Sequence, residues 1–107
     1  MQEITPLELK QRLDNGEQLT LLDVRELWEF ELCQIKDSLH LPLGELIRLE
    51  FLDQLKPDQQ IVTICHHGIR SQHAAMLLQQ NGFEKVFNLV GGIHHWSIQV
   101  DPNIPRY

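Results

Sequence analysis

Residues 18–25, "QLTLLDVR", form a continuous apolar run that closes in Asp23 and Arg25. A strand with one solvated face would alternate, so a run of this kind is a strand buried on both faces, and its natural home is a parallel sheet. The rest of the chain agrees. "EITPLELKQRLDNG" begins as a short strand, then places Thr5 as N-cap, Pro6 at the first helical position and Leu7, Leu9 and Leu13 within a helix that Asn15-Gly16 ends. "ELWEFELCQI" suits a short amphipathic helix, and "SLHLPL" is a brief strand stopped by Pro42. "GELIRLEFLDQLKPDQQ" returns to helical spacing and ends in a Pro-Asp turn. "IVTI" is a fourth strand, "SQHAAMLLQQNG" a helix stopped by Gly82, and "KVFNLVGG" a fifth strand followed by two glycines. The predicted order is therefore β and α in alternation, five of each, over one domain spanning residues 1–107.

Short β-α spacings call for right-handed crossovers, which gives an α/β fold: an open, five-stranded, mostly parallel sheet with helices on both faces. Ligands of such sheets bind beyond the carboxyl ends of the strands, where Asp23, Arg25 and Cys65 all fall. The net charge of −6 and the lack of a basic stripe argue against a nucleic-acid partner. No apolar stretch is long enough to suggest a membrane span. The N-terminus has neither the basic stretch nor the apolar core of a secretory signal, so a cytoplasmic location is expected. There, Cys33 and Cys65 are expected to stay unpaired.

Cys65 stands between a strand and a helix, in "CHHGIRS". Cysteine attacks as thiolate, and an unperturbed thiol is mostly protonated at neutral pH, so something must stabilise the anion. A helix N-terminus offers unpaired N–H groups and the positive end of the macrodipole. Gly68 permits a backbone that lets the amides of residues 66–70, from His66 and His67 through Ile69 to Arg70, curl around Sγ. Arg70 adds a permanent cation, and Ser71 a hydroxyl that can cap the helix. Asp23 and Arg25 read as an ion pair supporting the neighbouring loops. Cys33, among Phe30, Leu32 and Ile35, reads as buried, with a resolving thiol as the sharper alternative. The histidines at 66–67 and 94–95 are adjacent pairs and lack the i, i+4 spacing of two ligands on one helical face, so no metal is expected.

Three motifs in order resemble the rhodaneses: "LLDVRELWEFELCQIKDSLHLPLGEL", the loop from Cys65 to Arg70, and "VFNLVGGIHHW". The resemblance implies a rhodanese-like fold and a sulfurtransferase. The Cys65 thiolate would take sulfane sulfur from thiosulfate or another persulfide and pass it to cyanide, a thiol or a carrier protein, with no cofactor, while Arg70 would orient the anionic donor and Ser71 hydrogen-bond the sulfur. The tail "HHWSIQVDPNIPRY" resembles the ends of rhodanese domains attached to E1-like adenylyltransferases, which hints at a protein acceptor. Related folds use a cysteine loop in phosphatases and arsenate reductases. Protein tyrosine phosphatases use Cys-x5-Arg, whereas only four residues separate Cys65 and Arg70. A noncatalytic interaction module of the same fold would typically lack the cysteine.

Overall fold

The apolar runs and helical segments become eleven elements in a computed structural model that describes residues 1–48 and 52–107. They are β1 (Gln2–Ile4), α1 (Pro6–Asp14), β2 (Thr20–Asp23), α2 (Leu27–Leu32), β3 (Leu39–His40), α3 (Leu43–Leu46), a 3-10 turn (Leu52–Gln54), β4 (Ile61–Ile64), α4 (Ile69–Gln80), β5 (Val86–Leu89) and α5 (Gly92–Gln99). The strands form one sheet in the order β1-β5-β4-β2-β3. Every pairing among them is parallel.

Local signals explain most boundaries. Thr5 caps α1 through a reciprocal pair: its Oγ1 accepts from the Glu8 N–H at 3.2 Å, and its own N–H donates to Glu8 Oε1 at 3.1 Å. Helical spacing over 44–60 yields only α3 and the 3-10 turn, with residues 49–51 outside the described part. The Pro57-Asp58 turn follows as expected, closed by the Gln59 N–H on the Lys56 carbonyl at 3.0 Å. Helix α4 starts two residues before the expected Ser71. Gly68, at φ 106°, is its N-cap, and this left-handed residue turns the chain so sharply that Ile69 and Arg70 already lie in the first helical turn.

The period of two along the strands divides the core. Leu21, Val62 and Ile64 join Ile4, Leu9, Ile93 and Trp96 on the face covered by α1 and α5. Leu22 and Ile61 join Leu46, Ala74, Ala75 and Leu78 on the face covered by α3 and α4. β4, flanked by β5 and β2, is buried along its whole length, so the residue that follows it emerges at the middle of the carboxyl rim.

Helix α5 packs end-on against that rim. The Ile93 N–H donates to the Cys65 carbonyl at 2.9 Å and the His94 N–H to the His66 carbonyl at 3.1 Å. The loop thus takes up N–H groups that have no acceptor within their own helix. Gly92 makes the approach possible: at φ 61° it has no side chain, and a Cβ there would overlap the carbonyls of Cys65 and His66. Gly92→Ala should therefore cost more than the ~1–2 kcal/mol of a left-handed non-glycine residue, because the helix must also back away from the loop. Urea unfolding checks this; Gly82→Ala, at a left-handed position with open space around it, should stay near the backbone cost alone.

Candidate active site

Cys65 ends the buried run of β4 and is itself only 1% exposed, yet its sulfur is surrounded by polar groups. The Gly68 N–H donates to Sγ at 3.0 Å, and Ser71 Oγ lies 3.2 Å away. Of the five amides expected to converge on the sulfur, that of Gly68 makes this contact. Those of Ile69, Arg70 and Ser71 head α4, where no intrahelical acceptor serves them.

The loop is held from the sheet. Thr63 Oγ1 in β4 donates to the Ser71 carbonyl at 2.9 Å. Asn88 in β5 donates from Nδ2 to the Gly68 carbonyl at 3.1 Å, and its Oδ1 lies 2.5 Å from Ser71 Oγ. One buried amide therefore grips both the helix cap and the hydroxyl beside the sulfur. Asn88 was missed in the sequence, although a single amide inside the apolar run "KVFNLV" is the kind of signal that could have revealed it, since a buried amide needs partners.

Arg70 does not reach out into an open pocket. Its Nη1 and Nη2 donate to Glu29 Oε1 and Oε2 at 2.6 and 2.8 Å, a bidentate clasp across 41 positions of sequence. The Arg70 side chain is 35% exposed while that of Glu29 is 4% exposed. A carboxylate so deeply placed requires a cation, and Arg70 is it. The arginine expected to meet a donor's oxygens therefore has both terminal nitrogens engaged. Arg70 is nonetheless near enough to Cys65 for a sulfur anion to raise its pKa, although Glu29 contributes most. Glu29 lies in "ELWEFEL", which the sequence marks only as a short amphipathic helix.

Tyr107 extends this pair. Its hydroxyl donates to Glu29 Oε2 at 2.7 Å and accepts from Arg25 Nη1 at 2.8 Å. Arg25 in turn donates from Nε and Nη2 to Asp23 at 2.9 and 2.7 Å, with both side chains fully buried, so these two residues form the expected ion pair. Burial opposes the charge of Arg25, but Asp23 overrides it and the pKa is raised. Burial also pushes the Tyr107 hydroxyl up to about 12. The Tyr107 ring stacks on His66 with centroids 3.9 Å apart, and His67 stacks on His66 at 4.0 Å. Burial and the neighbouring His67 hold the His66 imidazole below its ordinary pKa. Ile69 points to solvent at 68% exposure. Cys33 is buried, as expected, and both cysteines are free thiols.

The Rhodanese-like domain family matches residues 5–99. The chain is 40% identical over 95 residues to the "Putative sulfur carrier protein YrkF" of Bacillus subtilis, covering 89% of this chain and 50% of that one. It is 35% identical over 86 residues to the thiosulfate sulfurtransferase GlpE of Vibrio cholerae, covering 80% and 79%. It spans about a quarter of the adenylyltransferase and sulfurtransferase proteins that it also matches. Among solved structures, the rhodanese-related protein of Thermoplasma volcanium superposes with a TM-score of 0.81 at 30% identity, covering 98% and 96% of the two chains.

The Glu29 clasp generates a pH dependence. The hydrogen bonds from Arg70 outweigh burial and lower the Glu29 carboxyl from 4.5 to about 2. Between these values the unfolded chain binds a proton that the folded chain does not. The stabilisation, about 3 kcal/mol, is thus fully present above the unfolded value and is lost as pH falls toward 2. Denaturation of wild type and Glu29→Gln should show a gap at neutral pH that closes over that acid window; a gap of constant size would refute the assignment.

Proposed function

This chain belongs to the rhodanese-like domain family of sulfurtransferases and sulfur carriers, and from that premise we propose that it moves sulfane sulfur through a persulfide on Cys65. The observation that carries the reading is the donor set on one sulfur: a thiol at the end of a central parallel strand, meeting the Gly68 N–H and Ser71 Oγ at the head of α4. The Cys65 thiolate attacks the outer sulfur of thiosulfate, forming the new S–S bond as the old one breaks, and sulfite leaves with the bonding pair. Cys65-S-S⁻ then yields its terminal sulfur to cyanide, giving thiocyanate and the free thiolate. Charge balances in both steps and no redox partner is required.

The terminal sulfur carries its charge out past Sγ, toward the unpaired amides of α4. Fixed dipoles of this kind stabilise a developing anion without having to reorganise. Arg70 supplies a positive charge to the same region while Glu29 fixes its position, so its role is electrostatic more than a direct grip on the donor. The small ring from Cys65 through Arg70 suits one added sulfur atom better than a phosphoryl group with three outer oxygens. In the cell the acceptor is a thiol or a carrier protein; relatives that join a sulfurtransferase to an adenylyltransferase support the protein acceptor. A reducing cytoplasm would keep both thiols free.

Intact-protein mass spectrometry after thiosulfate treatment should show one added sulfur on wild type and on Cys33→Ser, and none on Cys65→Ser. A labelled Cys65→Ser, or an unlabelled but folded Cys33→Ser, would overturn the assignment. In thiosulfate-to-cyanide turnover, Arg70→Ala should lower kcat/KM roughly tenfold to a hundredfold. Glu29→Gln keeps the cation and should lose much less. Equal losses in the two variants would place the effect in the clasp instead of the charge.

A further inference from the structure

Neither adjacent histidine pair makes a metal site within its own segment, but the fold joins parts of the two. Because the His94 N–H is bonded to the His66 carbonyl, the third residue of α5 is held directly beside the loop, and its ring meets the rings of His66 and His67. The His67 and His94 centroids are 5.1 Å apart at 53°, and those of His66 and His94 6.1 Å apart at 76°. One ring nitrogen from each of the three lies within 4.8 Å of the other two.

We propose that His66, His67 and His94 bind one borderline-soft divalent transition metal ion of the zinc type, with the remaining coordination open to water. Imidazole is a preferred ligand for this class of ion, and three imidazoles plus a solvent position form a known kind of coordination shell. A zinc–nitrogen distance of about 2.0–2.1 Å puts ligand nitrogens about 3.4 Å apart in a tetrahedron, so each ring needs to move by about an ångström. His67 is exposed and can swing by rotating its side chain. His66 is steadied by stacking on Tyr107 and the backbone of His94 by its bond to the loop, so these two ligands start within about an ångström of their places. The site uses neither thiol and does not depend on sulfur transfer by Cys65.

Calorimetric titration of the whole chain with zinc chloride at neutral pH tests it. Wild type, Cys65→Ser and His73→Ala, whose histidine lies exposed on α4, should each bind one zinc ion. Loss of a residue outside a coordination shell already costs about 10–100-fold in metal affinity, so His94→Ala and His67→Ala should each weaken binding at least about a hundredfold. The second of these variants alters an exposed side chain and leaves the fold intact. Cobalt should give the visible bands of a nitrogen and oxygen site, without thiolate charge transfer. Failure of wild type to bind zinc, undiminished binding by both histidine variants, or loss of binding in Cys65→Ser would each overturn the proposal.

Discussion

A guanidinium with no access to water organises this rim. Arg25 gives two nitrogens to Asp23, a third interaction to the Glu29 carbonyl at 3.3 Å, another to the Cys33 carbonyl at 2.6 Å, and one to the Tyr107 hydroxyl. These acceptors come from the end of β2, from the length of α2 and its exit, and from the tail. Burying such a charge is tolerable only when it is completely partnered, and removal of a partner from a buried pair costs about 3–5 kcal/mol. The chain is thereby compelled to bring distant segments to one point.

From Arg25 the order is relayed outward. Tyr107 links it to Glu29, and Glu29 links to Arg70, so cations and anions alternate from the end of β2 to the first turn of α4. A second, uncharged frame meets it from the other side: Asn88 and Thr63 hold the α4 cap from the sheet, while α5 closes on the carbonyls of Cys65 and His66. The sulfur sits where the two frames meet. Neither frame contacts it with a charged side chain, which leaves neutral donors in direct contact and the Arg70 charge one step further out.

What was legible in the sequence was what is local. The apolar runs carry their own period, Thr5 and Pro6 mark a helix start, and Cys65, Gly68 and Ser71 lie within seven positions, so strand order along the chain and the sulfur's nearest donors could be read directly. The partner of Arg70 could not, because an acidic residue on an amphipathic helix has the same local signature whether it faces solvent or a buried arginine. His94 and Tyr107 reach the site through the docking of α5 and the path of the tail, and no spacing rule encodes either. The side-chain pattern also puts the start of α4 two residues late, because a glycine with positive φ starts a helix sooner than that pattern alone suggests.

The Ser71 hydroxyl has one hydrogen and two claimants. Asn88 must present Oδ1 to it, because Nδ2 is committed to the Gly68 carbonyl. With a neutral thiol, the chain of donation runs in one direction: the sulfur's proton toward Ser71, and the Ser71 proton toward Asn88. When that sulfur becomes an anion, its own proton is gone and the stronger acceptor is now on the other side, so the hydroxyl rotates and the dipole reverses. Ser71 thus acts as a rotor set by the charge on its neighbour, and Asn88 as the spring that returns it. A gain or loss of negative charge at Cys65 is thus answered first by a single hydrogen, and the 2.5 Å contact between Ser71 Oγ and Asn88 Oδ1 must lengthen whenever that hydrogen turns away.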